Sequence, residues 1–248
     1  MQLASIILPY YNKRKFIKKS IKSILDQSFK NFELIIVYDD KDKNDLQFIK
    51  SIIKKDRRIK LIINKKNLGA GVSRNKAIKF SKGNYICFID ADDKWKKKKL
   101  EKQIEFMENN NYLVSHTSYE MINEKNKKIG FRKAKNFRNF KELLKSCDIG
   151  LSTVVIKKSV LKKNLRFPNL KTKEDFVLWL KILRSGNSIF GLDQNLASWT
   201  STKNSLSSST FQKLKDSYRL YNYYMRFNII KSLIYTFILS INFILKNL

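Results

Sequence analysis

Proline, glycine, cysteine and histidine are scarce in this 248-residue chain: two Pro, seven Gly, two Cys and one His. So few turn-forming residues exclude a linker-rich or repeat architecture, and no internal period is visible. Cys87 and Cys147 are too few for a disulfide framework and lack metal-ligand spacing. His116 has no partner nearby in sequence and reads as structural. These counts argue against a zinc site and against a Ser–His or Cys–His nucleophile. The opening "MQLASIILPYYN" has neither a basic start nor a long apolar segment, so no signal peptide and a cytoplasmic location are expected. Acids are scarce too, with 21 Asp+Glu against 52 Lys+Arg and a formal net charge of +31.

What is present describes a globular protein: 43% hydrophobic and 29% charged residues, enough for one good core or two small ones. The positive charge attracts something anionic, whether nucleic acid, a nucleotide-linked substrate or an acidic membrane face. A general bias toward Lys, Asn and Ile explains it as well, so the charge alone does not decide.

Along the chain, "LASIIL" (3–8) reads as a buried strand stopped by Pro9. After Asn12, Phe16, Ile17, Ile21, Ile24 and Leu25 recur at helical spacing. "FELIIVYDD" is a second strand; Leu46, Ile49, Ile52 and Ile53 mark a helix; "IKLIIN" is a third strand. "NLGAGVSRNKAIKFSKGN" is a Gly-containing turn and helix, and "YICFIDADD" a fourth strand. Alternating helices and strongly apolar strands predict an α/β fold whose mainly parallel sheet is flanked by helices. That pattern covers 1–110. In 111–208, the expectation is a strand at "YLVSHTSYEMI", a basic loop at 123–138, a helix at 139–146 and a strand at "LSTVVI". An amphipathic helix at 174–185, short strands at 188–200 and a Ser/Thr-rich loop at 200–210 follow. The two halves form one domain, 1–208, and 209–248 supply C-terminal helices.

The tail carries no charge from Ser232 to Leu245, yet a bilayer span needs about 20 residues. Leu233, Ile234, Phe237, Ile238, Ile241, Ile244 and Leu245 share one helical face, with Ser232, Thr236, Ser240 and Asn242 mostly opposite. Such a helix packs on the domain or a partner, or lies in an anionic membrane interface, the option its basic surroundings favour.

Two strands end in crowded acids, Asp39–Asp40 and Asp90–Ala91–Asp92–Asp93. Ligands of open parallel sheets bind beyond such strand ends. On an extended chain Asp90 and Asp92 face the same way, and their repulsion calls for a hard cation such as Mg²⁺ or Mn²⁺. A solvated acidic turn is the bland alternative.

These segments together resemble the family-2 glycosyltransferases, nucleotide-sugar enzymes of the Rossmann-like GT-A fold. "ASIILPYYNKRKFIKKSIKSILDQSFKNFELIIVYDD" resembles their first strand–helix–strand unit, and "NLGAGVSRNKAIKFSKGNYICFIDADDKW" their Gly-turn, Arg-Asn helix and metal-binding strand. "KLEKQIEFM" continues the match, and "KEDFVLWLKI" is similar to their acceptor-side catalytic helix. The resemblance implies that Pro9, Tyr11, Asp39 and Asp40 hold the nucleotide base, although Lys41–Asp42 depart from the usual Gly-Ser. It implies a close backbone approach at Gly69 and Gly71, and Arg74 on phosphate or ribose. Asp92 would touch the metal, Asp93 could share it, and Asp90 would serve the ribose or the metal's water shell. Trp95 edges the donor pocket or packs in the core, and Lys97 replaces a proline common in the family.

Asp175 corresponds to the base that deprotonates the acceptor hydroxyl, with Glu174 orienting it or bonding the acceptor. Phe176 and Trp179 would supply an apolar surround. The activity implied is inverting, metal-dependent transfer from a nucleotide-sugar, with UDP-sugars foremost, to a saccharide or lipid-linked acceptor in envelope polysaccharide synthesis. An enzyme peripheral to the inner membrane face, needing no nucleic acid, is expected. The alternatives are a non-catalytic basic nucleic-acid-binding module and a degenerate transferase scaffold.

Overall fold

A computed structural model describes residues 2–54, 56–162, 164–202 and 209–246. The first half alternates as its apolar runs demand: β1 (Ala4–Tyr10), α1 (Arg14–Leu25), β2 (Phe32–Tyr38), α2 (Lys43–Ile53), β3 (Ile59–Ile63), α3 (Ala70–Phe80) and β4 (Tyr85–Phe88). The order β3–β2–β1–β4 is parallel throughout, with Ile6 opposite Leu34 and Cys87. Because side chains alternate along a strand, one set builds each core. Ile7, Val37 and Phe88 enter one cluster, while Ile6, Leu8, Ile36 and Cys87 enter the other.

Pro9 does not stop β1 but lies within it, opposite Val37. Ile7 shares the side of the strand that Pro9 faces, and its carbonyl accepts from Ile89, just beyond the end of β4. The missing N–H of Pro9 therefore points where that neighbour has run out, and no ladder bond is lost.

The second half mixes directions. After β5 (Lys94–Trp95) and α4 (Lys99–Asn109) come β6 (Val114–Asn123), β7 (Lys128–Arg132), α5 (Phe140–Leu143) and β8 (Val155–Lys157). α6 (Glu174–Arg184), β9 (Phe190–Ser201), α7 (Thr210–Arg219) and α8 (Ile229–Leu245) complete the described elements. β8 joins β4 and β6 antiparallel, β6 runs parallel to β9, and β5 pairs antiparallel with β9.

Three expectations change here. The basic loop at 123–138 contains β7, which forms a hairpin with β6. The short strands at 188–200 are one 12-residue strand. "LSTVVI" divides into a 3₁₀ turn (Leu151–Thr153) and β8. Most of the Ser/Thr-rich loop, 203–208, lies outside the described residues.

Several singled-out residues serve the interior. Trp95 is a core residue whose Nε1 donates to the Ser152 carbonyl at 2.6 Å. Lys99 is wholly buried, its Nζ 4.1 Å from the Trp95 ring centroid, and burial pulls its pKa down to about 8. His116 is buried against the Lys135 carbonyl, and burial lowers its pKa to about 4. Burial pushes the Cys87 and Cys147 thiols up to about 11 and about 12, which disfavours the thiolate form at both.

Candidate active site at the strand ends

The acids beyond β2 divide their tasks. Asp39 is buried and fixes the turn before α3: its Oδ1 accepts from Asn64 Nδ2 and Leu68 N, and its Oδ2 from Gly69 N, each at 2.8 Å. Gly69 needs its glycine, because it starts the helix at φ 84°. Gly71 is required for packing: a Cβ there would stand 2.7 Å from the Pro168 carbonyl oxygen. Its place is thus beneath the 167–168 loop, rather than at an open approach for ligand. Asp40 is half-buried and orders the ends of β1 and β2 by accepting from Asn12 N and Lys41 N, both at 2.7 Å. Tyr11, next to Asn12 in sequence, is exposed, whereas Pro9 is buried in the sheet.

β4 ends at Phe88, so Asp90 to Asp93 are not extended. The chain turns, and Asp93 N donates to the Asp90 carbonyl at 3.0 Å. This turn separates the three acids. Asp93 points inward, accepting from Ser152 Oγ on one oxygen and from Thr200 N at 2.9 Å on the other. Its carboxylate is therefore used by the fold. Burial, then Asp92 and Asp90, raise its proton affinity far above the usual range. Asp92 instead takes an ammonium: Lys13 Nζ lies 2.7 Å from its Oδ2 and 2.9 Å from Thr202 Oγ1. Burial and the neighbouring Asp90 raise the Asp92 pKa, and Lys13 opposes them. Lys15, Phe16, Lys19, Lys94 and Asp92 help to line a cavity of about 130 Å³ beside this turn.

Arg74 connects the turn to the second half. Its side chain is only 3% exposed, and it donates to Asp90 Oδ1 and Glu174 Oε1 at 2.7 Å each. The guanidinium also lies 5.3 Å from the Phe167 ring centroid. Its charge is thereby locked on, since the two carboxylates outweigh the burial that opposes it. Glu174 and Asp175 open α6 directly after Lys173, which adopts a left-handed conformation at φ 65°. Negative charge is favoured at this helix N-terminus. Burial pushes Glu174 up to about 7; Arg74 pulls it back and Asp175 adds to the rise. Burial also raises Asp175, against Arg74. Asp175 Oδ1 accepts from Phe176 N at 2.7 Å, and among the described residues Oδ2 accepts nothing.

Trp179 lies deeper than expected. It is fully buried in edge contact with Phe167, 6.3 Å between centroids, and supports the site only through that ring. Sequence reasoning missed Lys13, Asn64, Ser152 and Thr200. None belongs to a local pattern, because each meets its acid through the fold.

The profile of glycosyl transferase family 2 matches residues 5–165. The chain belongs to this family. TuaG of Bacillus subtilis, named as a teichuronic acid biosynthesis glycosyltransferase, is 34% identical over 231 residues, covering 93% of this chain and 91% of its own. WfgD of Escherichia coli, named a UDP-Glc:α-D-GlcNAc-diphosphoundecaprenol β-1,3-glucosyltransferase, is 38% identical over 214 residues, 86% of this chain and 83% of its own. A Rickettsia conorii glycosyltransferase is 42% identical over 195 residues, but the chain spans only 32% of that longer protein. The fold matches Staphylococcus aureus TarS 1–349 in complex with UDP-GlcNAc (TM-score 0.74, 22% identity, 94% of this chain and 69% of that one). It also matches a Pyrobaculum calidifontis mannosyltransferase with GDP-Man and Mn²⁺ (TM-score 0.70, 14% identity, 94% and 69%). The architecture is thus the GT-A fold. No helix among the described residues is long and apolar enough to cross a membrane.

Proposed function

We propose that this glycosyltransferase moves a sugar from a UDP-sugar to a hydroxyl of a saccharide or lipid-linked acceptor with inversion, in cell-envelope polysaccharide synthesis. The observation that carries the reading is the Arg74 bridge, 2.7 Å to Asp90 and 2.7 Å to Glu174, which joins one strand-end acid to one helix acid and supports reading the two ends as a single site. The strand-end acids and the family favour an enzyme over a nucleic-acid-binding module or a degenerate scaffold. TuaG and WfgD, named for envelope-type polymers and a lipid-linked acceptor, support the substrate class.

Asp175 is the base. Glu174 is committed to Arg74, whereas Asp175 keeps Oδ2 open. Burial raises its proton affinity, which makes it a better base than a solvated carboxylate. It takes the acceptor hydroxyl's proton while that oxygen attacks the anomeric carbon opposite the diphosphate. The C–O bond to the diphosphate breaks, and its electron pair leaves with the nucleoside diphosphate. Asp40, Tyr11 and the main chain around Asp39 border the nucleotide base, and Arg74 holds Asp90 toward the ribose.

Asp92, still close enough to Asp90 for the two charges to repel, suits a divalent cation. Asp92 already receives a cationic group from Lys13, and Mg²⁺ or Mn²⁺ needs only one or two protein carboxylates when phosphates complete its shell. Among the described residues no three His, Cys, Asp or Glu side chains form a ready metal cage. When bound, the ion would neutralise charge growing on the departing diphosphate.

The test is a panel of nucleotide-sugars with Mn²⁺ or Mg²⁺, reading hydrolysis, transfer and thermal stabilisation. A UDP-sugar should stabilise wild type and Asp175→Asn equally, while transfer falls by about 10² or more in the variant. Equal turnover by Asp175→Asn removes that residue as base, and indifference to every donor overturns the reading.

A further inference from the structure

Amphipathic helices ordinarily turn their apolar face to the core, whereas α8 sends Leu239 and part of Tyr235 inward and leaves most of its apolar side chains outside. Ser232, Thr236 and Leu239 are its buried positions, and Ser232 Oγ donates back to the Asn228 carbonyl at 2.8 Å. Small side chains on this face let the helix sit close against the protein. Ile230, Leu233, Ile234, Phe237, Ile241, Ile244 and Leu245 occupy the opposite stripe, 38% to 72% exposed. Their spacing of three and four residues makes the stripe continuous over all 17 residues, about 25 Å of helix. Phe211 and Leu214 of the adjoining α7 are exposed as well. So large an apolar strip needs a cover.

Charge selects the cover. From residue 217 to 248 the sequence has no Asp or Glu, but it contains Arg219, Arg226, Lys231 and Lys246. Lys231 and Lys246 stand at the two ends of the stripe, and Lys213 reaches in from α7 with its Nζ 5.0 Å from the Phe243 ring centroid. Lys246 pairs with Asp148, while Lys231 and Arg226 are exposed. A second copy of this face would set cations against cations.

We infer that the outer face of α8 docks on an anionic lipid surface, lying in the interface with its apolar stripe among the acyl chains and its flanking cations at the head groups. The helix is too short to span, and its inner face already packs on the protein. The inference stands apart from the donor and the reaction, because lipid binding is read without turnover.

The test is sedimentation of the full chain with vesicles of phosphatidylcholine alone or with 30% phosphatidylglycerol, a composition chosen for the assay. Wild type should partition onto the anionic vesicles at least tenfold more strongly than the L233E/F237E variant, and high salt should weaken it. Both changed side chains are exposed, so the variant's thermal midpoint and donor hydrolysis should match wild type. As a second reading, F237W should be quenched by lipids brominated on their acyl chains, beyond the quenching of wild type. Equal sedimentation of the variant, or an unquenched F237W, overturns the inference. So does a lipid-free dimer, seen by light scattering, that the same two substitutions dissolve, since the stripe would then cover a second copy.

Discussion

Arg74 on α3 and Glu174 at the start of α6 lie 100 residues apart and share a 2.7 Å ion pair, with Asp90 on the other arm of the same guanidinium. This one buried cation adds a charged link between two halves that also share a sheet and a core. Removing one partner of a buried pair leaves an uncompensated charge, at a cost of about 3–5 kcal/mol. Arg74→Met should therefore destabilise the protein by about that amount in chemical denaturation. Adding Glu174→Gln should recover part of the loss, because one of the two stranded acids is gone. Strict additivity of the two changes would mean that the pair carries no coupling.

The same pair gives stability a pH dependence. Glu174 has a folded pKa of about 7 against an ordinary 4.5, chiefly through burial, so the folded state holds that proton more tightly than the unfolded state. The resulting stabilisation is complete below about 4.5 and is lost as pH rises through about 7. Between pH 5 and 8 the wild-type melting temperature should fall more steeply than that of Glu174→Gln. Parallel curves would show that Glu174 ionises at an ordinary pKa. Asp92, Asp93 and Asp175 also have raised pKa values, so the difference between the two proteins, and not the wild-type slope, isolates Glu174.

Asp92 and Asp93 are neighbours with opposite expected phenotypes. Asp93 holds Ser152 and Thr200 within the fold, whereas Asp92 faces Lys13 beside a cavity. Asp93→Ala should lower stability by about 1–3 kcal/mol, because buried donors lose their acceptor. Any UDP-binding that survives should still require Mn²⁺. Asp92→Asn should fold normally and lose the extra thermal stabilisation that Mn²⁺ gives with UDP, as EDTA does to wild type. If EDTA changes nothing in wild type, the divalent ion has no part in donor binding.

Much of this arrangement could be read from residues alone, and the failures have physical causes. β1, β2 and β4 are buried on both faces, so they are apolar throughout and their acidic ends stand out. β9 was harder: its pairing with β6 shifts register around Ser118, which breaks the period-two pattern that marks a strand. β7 sets exposed Ile129 and Phe131 around Gly130 between Lys128 and Arg132, which resembles a loop by composition. On sequence alone the DADD stretch reads as extended, but a turn forms once β4 ends, sending Asp93 inward. Lys13 pairs with Asp92 across 79 positions of sequence, a distance at which no local pattern operates.

Asp216 on α7 provides the last test, because it joins the C-terminal helices to the turn that precedes Glu174 and Asp175. It is fully buried, and its Oδ2 accepts from Thr172 N at 2.9 Å, Thr172 Oγ1 at 3.0 Å and Gln212 Nε2 at 2.9 Å. Thr172 immediately precedes the left-handed Lys173, and Glu174 and Asp175 follow. A strained residue keeps its conformation only where its surroundings impose it, and the Asp216 carboxylate anchors the chain one residue before. Asp216→Ala should strand the Thr172 N–H, cost about 1–3 kcal/mol of stability and loosen the aim of Asp175. Transfer kcat should then fall by about tenfold or more while donor KM changes little, since Asp216 touches nothing at the strand ends. Asp216→Asn keeps an oxygen for Thr172 and should restore most of the kcat. A merely structural residue would lose stability in Asp216→Ala with kcat intact for the folded fraction, and that result would separate α7 from catalysis.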